Sequence, residues 1–332
     1  MHTKPWFKMT ALICLIGLLL TLPLLSACGG GEETTPTPTP TATEEPTQEE
    51  LSEFDVVKGA VEDYLGDRAG NIKAADLQMM IAEGNAPYIV SIRSAADYAK
   101  GHIPGAVNIS FSEITTLPKN EEIVIYCYTG QSGSFAAASL GILGYDVQNL
   151  RDGMSSWTTD SNVYVSRFDP ATSQGDYAVE TQANSVSVSF DYPVLNNTSS
   201  NDEDDILEAA VATVSPNYIT ASDLNMKIAE GEDMTIISIR SAELYAGGHI
   251  PGAINISLND LADNLDKIDP DLPVYVYCYT GHSAAQATAL LQMLGYDAYS
   301  LKFGMCSWSS DPAINNNSCF DASTVKDYEV EK

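Results

Sequence analysis

The sequence predicts an α/β protein with two tandem domains, each a mostly parallel sheet flanked by helices. Two observations support this prediction. The chain contains one unit twice, since Ser91–Ala95 recurs as Ser238–Ala242. Within each copy, short runs of β-branched and aromatic residues alternate with helical patterns. That alternation of strand, helix, strand and helix is typical of parallel sheets with helices on both faces.

The two copies align at two different offsets. Gly101–Ala106 recurs as Gly248–Ala253 at a spacing of 147 residues, and Cys127–Gly130 recurs as Cys278–Gly281 at 151. The second copy therefore has four extra residues, between 257 and 271. Copies this large, each with its own apolar segments, are tandem domains and not solenoid repeats. We expect a first domain at 53–180, a linker at 181–202 and a second domain at 203–332.

Each predicted element of the first copy has a local reason. A helical pattern at 74–82 precedes a continuous apolar run at 88–92, which predicts a strand buried on both faces of the sheet. A second such run at 123–127 leads into a helical pattern at 135–143, which Gly144 closes. Ligands of such sheets bind beyond the carboxyl ends of the strands, so we expect the functional site there.

The amino terminus predicts where the protein is found. Two lysines precede a 17-residue apolar run, Met9–Leu25, which is short for a membrane span and typical of a secretory signal. Leu25-Ser26-Ala27-Cys28 resembles the bacterial lipobox, which implies cleavage before Cys28 and lipidation of that cysteine. We therefore expect a signal peptide at 1–27 and a Thr/Pro/Glu-rich tether at 28–52. The folded part would lie outside the cytoplasm, anchored by lipid to a bacterial membrane.

Charge and motifs exclude several kinds of partner. The chain has 16 Lys and Arg against 45 Asp and Glu, a formal net charge of −29. A field of that sign repels phosphate backbones, so nucleic acid is not an expected partner. The sequence contains no CxxC or HxxxH pair and no P-loop or GxGxxG loop. We therefore expect no metal and no cofactor.

Cys127 and Cys278 are the candidate catalytic residues. Each follows an apolar strand and precedes Tyr-Thr-Gly and a helix of small residues. A cysteine in that turn faces converging backbone N–H groups and the positive end of a helix dipole, and both favour the thiolate. A single cysteine at a strand end is more often buried and inert. Identical flanks in two copies favour function.

Each copy resembles a rhodanese domain, the fold of a sulfurtransferase family. The resemblance rests on Gly101–Ala106, on the loop that Cys127 begins, and on Gly153-Met154 to Trp157, with equivalent segments in the second copy. It implies that each cysteine accepts a sulfane sulfur as a persulfide. The donor would be thiosulfate, a polysulfide or a persulfide, and the acceptor would be cyanide, a thiol or another protein.

The resemblance also implies a substrate-binding site, from which this chain departs. Rhodanese loops often carry Arg or Lys, with an arginine five residues after the cysteine, where this chain has Ser132 and Ser283. An anionic donor would then depend on backbone N–H groups and loop hydroxyls. The motif supplies Arg93 and Arg240 as cations, with a structural role at the strand end as the alternative. The candidate substrate-binding residues are Arg93, Tyr128, Thr129, Gly130, Gln131 and Ser132 in the first copy, and Arg240, Tyr279, Thr280, Gly281, His282 and Ser283 in the second.

Two other classes of function stay open. A non-catalytic binding module would not need a cysteine in both loops, and a thiol-disulfide redox protein would be expected to contain a CxxC. Phosphatases that resemble rhodaneses use a longer loop with an arginine. That arginine is absent here, so a phosphatase is not expected.

His282 replaces Gln131 of the first copy, and either makes the second site more basic or faces solvent.

Cys306 and Cys319 have no counterparts in the first copy, where Ser155 aligns with Cys306. They are 13 positions apart, and an oxidising compartment favours a disulfide between them. The alternative is that Cys306 lies close to Cys278 and resolves its persulfide. A disulfide requires Cα atoms within about 7 Å, so the geometry decides between these possibilities.

Overall fold

The structure is a computed structural model that describes residues 52–68 and 70–332. These residues belong to one compact unit, Glu49–Lys332. The predicted signal peptide and Cys28 lie outside the described residues, as does the predicted tether up to its final residue. Within the described part of the chain, no helix is long and apolar enough to cross a membrane.

The first copy contains a four-stranded parallel sheet with the strand order 2-1-3-4. Its elements are α1 (Glu53–Asp67), α2 (Ala74–Ala82), β1 (Tyr88–Ser91), α3 (Ala95–Tyr98), β2 (Val107–Asn108), β3 (Ile123–Tyr126), α4 (Gln131–Ile142), β4 (Val147–Asn149), α5 (Ser161–Tyr164) and α6 (Pro170–Ser173). The two apolar runs become the central strands β1 and β3, and all four residues of β3 are buried. Helix α4 begins four residues before the predicted start, because Gly130 adopts φ +77° and turns the chain directly from the loop into the helix.

The second copy repeats this plan with a five-stranded parallel sheet. Its elements are α7 (Glu203–Ala212), β5 (Tyr218–Ile219), α8 (Ala221–Glu230), β6 (Thr235–Ser238), α9 (Ala242–Gly247), β7 (Ile254–Asn255), β8 (Val274–Tyr277), α10 (His282–Met293), β9 (Ala298–Leu301), α11 (Gly304–Trp308) and α12 (Pro312–Asn315). The strand order is 5-9-8-6-7. In the first copy, the counterpart of β5 is a single parallel bridge between Ile72 and Leu150. Two parallel sheets flanked by helices confirm the predicted fold class.

The two copies share a hydrophobic core. Helices α4 and α10 pack against each other, and α1 packs on α7 and on short helices of the second copy, Leu258–Asp260 and Ala262–Lys267. One cluster of buried side chains therefore contains residues of both copies, among them Val57, Val61, Phe135, Leu265 and Leu290. Burial of apolar surface is the main favourable contribution to folding, so the copies stabilise each other directly.

The carboxyl-terminal segment of each copy packs on the other copy. Residues 176–180 pair with the second copy, where the Trp308 indole donates to Ala178 O at 2.9 Å. Residues 327–331 pair with the first copy, where the Trp157 indole donates to Glu329 O at 2.8 Å. We call these two segments the exchanged tails. Each tail also forms an antiparallel bridge, Glu180 with His249 and Glu331 with His102.

Candidate active sites

Each candidate cysteine lies at the carboxyl end of a central strand, directly before a helix. Cys127 follows β3 and Cys278 follows β8. Both side chains are buried, and neither thiol forms a disulfide. The Gly133 N–H lies 3.4 Å from Cys127 Sγ, and the Gly281 N–H lies 3.2 Å from Cys278 Sγ. Backbone N–H groups and the amino end of the following helix both stabilise an anionic sulfur. The strand-turn-helix setting that the sequence predicts for both cysteines is present.

The two loops that follow these cysteines contact each other across the shared core. Gln131 and His282 occupy the same position in the two copies, and each reaches into the opposite copy. The Phe303 N–H donates to Gln131 Oε1 at 3.0 Å, and His282 Nε2 lies 2.9 Å from Thr129 O. Both side chains are buried. Predicted as substrate-binding residues, they join the two copies in this structure.

His282 does not face solvent, since only 4% of it is exposed. Its Nδ1 lies 2.9 Å from Thr280 Oγ1, and its Nε2 lies 3.6 Å from an Asp152 carboxylate oxygen. Nε2 donates to Thr129 O, because a carbonyl oxygen can only accept, and Nδ1 pairs with the Thr280 hydroxyl. The ring also lines a cavity beside Cys278. The imidazole therefore connects the second loop, the first loop and Asp152.

Glycine is required at the turn of each loop. Gly130 and Gly281 have φ of +77° and +86°, the left-handed region that side chains disfavour. A Cβ on Gly130 would lie 2.7 Å from His282 Nε2, and a Cβ on Gly281 would meet Gln131 Oε1. Both glycines, predicted from the loop motif, thus also allow the close approach of the two copies.

Several loop side chains are engaged by neighbouring residues. The Tyr128 hydroxyl donates to Asp97 Oδ2 at 2.6 Å, and Thr129 Oγ1 accepts from the Gln131 amide at 3.2 Å. The Tyr279 ring lies 5.6 Å from the Arg240 guanidinium. In each loop, one backbone N–H lies within hydrogen-bonding distance of the sulfur.

Arg93 and Arg240 take the structural role that the sequence left open for them. Each is 2% exposed, and each donates to the backbone carbonyl of the following turn at 2.6 Å, Arg93 to Gly101 and Arg240 to Gly248. A second donor of Arg93 reaches Val163 O at 2.8 Å. These guanidinium groups tie the strand end to later segments of the same copy, as the structural alternative expects, and their contact with substrate stays a prediction.

The two sites differ in what covers them. In the first site, Ser132 Oγ lies 2.9 Å from the hydroxyl of Tyr218, a residue of the second copy. In the second site, Ser283 and Cys278 line a cavity of about 300 Å³. Three residues of the first copy, Asn71, Lys73 and Arg151, line the same cavity. Sequence reasoning missed these residues, because each lies in one copy and faces the cysteine of the other.

Cys306 and Cys319 form the predicted disulfide, with a Cα–Cα distance of 5.4 Å. Cys306 is buried against Phe168 and Phe303. The alternative, in which Cys306 serves as a free resolving thiol for Cys278, does not match this structure. Cys127 and Cys278 are the free cysteines of the described residues.

Comparison with known proteins places the chain in a family. A family model described as rhodanese-like domain matches residues 73–160 and 220–311, more than half of the chain. The chain therefore belongs to the rhodanese-like family, as its motifs predict. The fold and the paired cysteine loops define it as a tandem member of that family, and the proteins that it resembles include named sulfurtransferases.

Three relatives match part of this chain at 34% to 40% identity. Thiosulfate sulfurtransferase GlpE of Shewanella oneidensis is 34% identical over 84 residues, which are 25% of this chain and 83% of that protein. Its namesake in Pseudomonas fluorescens is 40% identical over 74 residues, 22% of this chain and 68% of that protein. A protein of Mycobacterium tuberculosis named HTH-type transcriptional regulator Rv0324 is 34% identical over 92 residues, 27% of this chain and 40% of that protein.

Among solved structures, a thiosulfate sulfurtransferase from Pseudomonas aeruginosa matches 82% of this chain and 49% of its own, at 13% identity and a TM-score of 0.29. A rhodanese-like domain protein from Staphylococcus aureus matches 28% of this chain and 90% of its own, at 30% identity and a TM-score of 0.27.

Proposed function

We propose that the protein transfers sulfane sulfur through persulfides on Cys127 and Cys278. With thiosulfate as donor, the cysteine thiolate attacks the outer sulfur, a new S–S bond forms, and sulfite leaves with the electron pair of the broken S–S bond. With cyanide as acceptor, its carbon attacks the terminal sulfur, thiocyanate leaves, and the electron pair returns to the cysteine thiolate. The cycle regenerates the thiolate without an external oxidant or reductant.

The observation that carries this proposal is that each of the two free thiols lies within hydrogen-bonding distance of a backbone N–H at the start of a helix. The Gly133 and Gly281 N–H groups lie within 3.4 Å of the two Sγ atoms, each at the start of a twelve-residue helix. A persulfide carries its negative charge on the added sulfur, so it gains from the same donors and the same helix dipole.

The alternatives have less support. A dithiol redox protein needs a second thiol near the first, and Cys306 is already joined to Cys319. One observation favours a binding module, because one relative is named a transcriptional regulator. A docking surface, however, does not require a free thiol beside a backbone N–H at a helix start in both copies. Thiosulfate, a polysulfide or a persulfide remains the class of donor, and a small anion, a thiol or a protein the class of acceptor.

Substitution of the cysteines tests the transfer. After incubation with thiosulfate or polysulfide, we expect mass spectrometry to find one added sulfur on each cysteine. Cys127→Ser and Cys278→Ser should each retain one added sulfur, because each leaves one carrier thiol intact. The double variant should gain none and release no thiocyanate when cyanide is added.

The double variant should keep the circular dichroism spectrum of the parent protein, since serine is nearly isosteric with cysteine. Thiocyanate release by a folded double variant would disprove the persulfide mechanism. Absence of sulfur on the parent protein with every donor would favour the binding module.

We further propose that the protein is lipid-anchored at Cys28 and faces the outside of the cytoplasm. The support is the lipobox, the preceding apolar run of 17 residues, and the tether that follows. The parent protein should fractionate with membranes and carry a lipid on residue 28, whereas Cys28→Ala should be released or remain unprocessed. Membrane-bound material with an unmodified Cys28 would contradict the anchor.

A further inference from the structure

An anionic sulfur donor meets an unfavourable field on this protein. The chain carries a formal net charge of −29, and neither cysteine loop contains lysine or arginine. Arg93 and Arg240 are committed to backbone carbonyls. A dianion such as thiosulfate therefore requires positive charge from elsewhere in the molecule, within the Debye length of about 8 Å that physiological salt allows.

The cavity beside Cys278 receives such charge from the other copy. Lys73 is the residue that precedes α2, and Arg151 follows β4, and both line the cavity together with Cys278 and Ser283. The Arg151 guanidinium lies 3.6 Å from the Asp152 carboxylate and is 45% exposed, so solvent and a ligand can reach it. Lys73 is also exposed. Two exposed cations thus line the cavity in which the second thiol lies.

The second copy offers the first site only one equivalent cation, because Lys302 corresponds to Arg151 but Thr220 corresponds to Lys73. At the positions equivalent to Asn71 and Lys73, the second copy has Tyr218 and Thr220. Tyr218 packs edge-on against Phe135 at 5.7 Å and hydrogen-bonds to Ser132 beside Cys127. Burial raises the pKa of the Tyr218 phenol far above its usual range, and the nearby Cys127 adds to that rise. This phenol is neutral, whereas the equivalent residue in the second site, Asn71, lines the cavity beside Cys278.

The geometry points to a difference between the sites, which rests on the proposed function: Cys278 accepts sulfur from anionic donors faster than Cys127, because Lys73 and Arg151 of the first copy bind the anion. In this arrangement the Cys278 thiolate attacks the outer sulfur of thiosulfate. An S–S bond forms, the donor S–S bond breaks, and sulfite departs with the electron pair while the two cations balance its charge. Lys73 and Arg151 are specificity-determining residues that the chain supplies across the two copies.

The test uses the full chain with Cys127→Ser, so that every signal comes from Cys278. In that background, Lys73→Gln with Arg151→Gln should raise KM for thiosulfate at least about tenfold and change kcat less, because charge-assisted contacts to the donor are lost. A matched control is Lys119→Gln with Lys267→Gln, which removes the same charge near the amino ends of β3 and β8, at the opposite sheet edge. The control should leave KM within about twofold.

A second measurement reads the cations without sulfur transfer. Iodoacetate and iodoacetamide alkylate the same thiolate, with a C–S bond formed and iodide released, but only iodoacetate is anionic. The Cys278 rate ratio of iodoacetate to iodoacetamide should fall at least about fivefold in the Lys73/Arg151 variant and stay unchanged in the control. Any change in thiolate population cancels in this ratio.

The outcomes separate the two proposals. If the ratio falls as expected but no donor loads sulfur on either cysteine, the anion site stands and the sulfurtransferase proposal fails. If Cys278 transfers sulfur while KM and the alkylation ratio are the same in variant and control, the inference about Lys73 and Arg151 is wrong. It is equally wrong if a Cys278→Ser protein loads Cys127 from thiosulfate as fast as the Cys127→Ser protein loads Cys278.

Discussion

Gly130 and Gly281 show how closely the two sites are coupled at the level of single residues. The left-handed turn at each glycine sends the chain into a helix and brings the opposite copy within contact distance. His282 fills the space beside Gly130, and Gln131 fills the space beside Gly281. A substitution in one loop therefore displaces a side chain that belongs to the other loop.

Replacement of Gly130 by alanine measures this contact. Its Cβ would lie 2.7 Å from His282 Nε2 and 2.8 Å from Asp152 N, in addition to the cost of a positive φ. Gly144→Ala is the matched control, because Gly144 has φ +79° and nothing within 4 Å of the added Cβ. We expect Gly130→Ala to lower the free energy of unfolding by about 1 to 3 kcal/mol more than Gly144→Ala.

Urea denaturation of both variants checks this expectation. Equal loss of stability in the two variants would show that backbone conformation alone matters at Gly130, and that the contact with His282 contributes nothing measurable.

The sequence predicts a functional residue where the residues next to it in the chain identify it. Cys127 and Cys278 stand out because a strand, a turn and a small-residue helix surround each of them in the sequence. Lys73, Arg151 and Tyr218 did not, because their importance depends on which copy they face. Comparison of the copies does show that Asn71 and Lys73 correspond to Tyr218 and Thr220, but only the fold relates that difference to the cysteines.

Among the elements, the exchanged tails make the longest-range connections. Residues 327–331 lie on the first copy, where Tyr328 N donates to Trp157 O at 2.9 Å and the Tyr328 ring packs on the Trp157 ring at 5.1 Å. Glu331 exchanges backbone hydrogen bonds with His102, and its carboxylate accepts from the Gly105 N–H. The tail thus closes one edge of a copy to which it does not belong in sequence.

Removal of residues 327–332 should therefore weaken the first copy. Loss of several backbone hydrogen bonds at about 1 kcal/mol each, and of the Tyr328 ring, should lower the free energy of unfolding by roughly 3 kcal/mol or more. Amide hydrogen exchange should accelerate first around His102 and Trp157. Protection around Trp308, which the other tail covers, is the internal control.

Faster exchange around Trp308 than around Trp157 in the truncated protein would contradict this assignment of the tail. Tyr177→Ala offers the mirror experiment, because Tyr177 packs on Trp308 at 5.1 Å as Tyr328 packs on Trp157.

The sequence predicts an element well where both faces of that element are buried within its own copy. It does not predict an element whose apolar face is covered by the other copy. The strands at 88–91 and 123–126 are apolar on both faces, and they form as the sequence predicts. The helix at 74–82 has its predicted bounds. Helix α1 was not predicted, because an apolar face such as that of Val57 and Val61 does not reveal which neighbour covers it. Here the neighbour includes the second copy.

At the scale of the whole molecule, the repeat indicated two domains, and the structure joins them in one core. The repeated motifs predict the number of copies correctly, because each copy forms its own sheet and its own cysteine loop. They do not encode the packing of α4 on α10 or the exchange of the tails, because contacts between copies leave no periodic signal in either one. Separate expression of either half would leave apolar surface from the shared core exposed to water.

The exchanged tails also set an order of events during synthesis. Residues 176–180 are made before the copy that they cover, so the second copy finds its closing segment already present. The first copy meets the opposite situation, because residues 327–331 leave the ribosome only after the whole second copy has been translated. Domains generally fold from the amino terminus as they emerge. In this chain the half translated first is completed last, so a chain arrested during translation contains a first copy with Trp157 and His102 still uncovered.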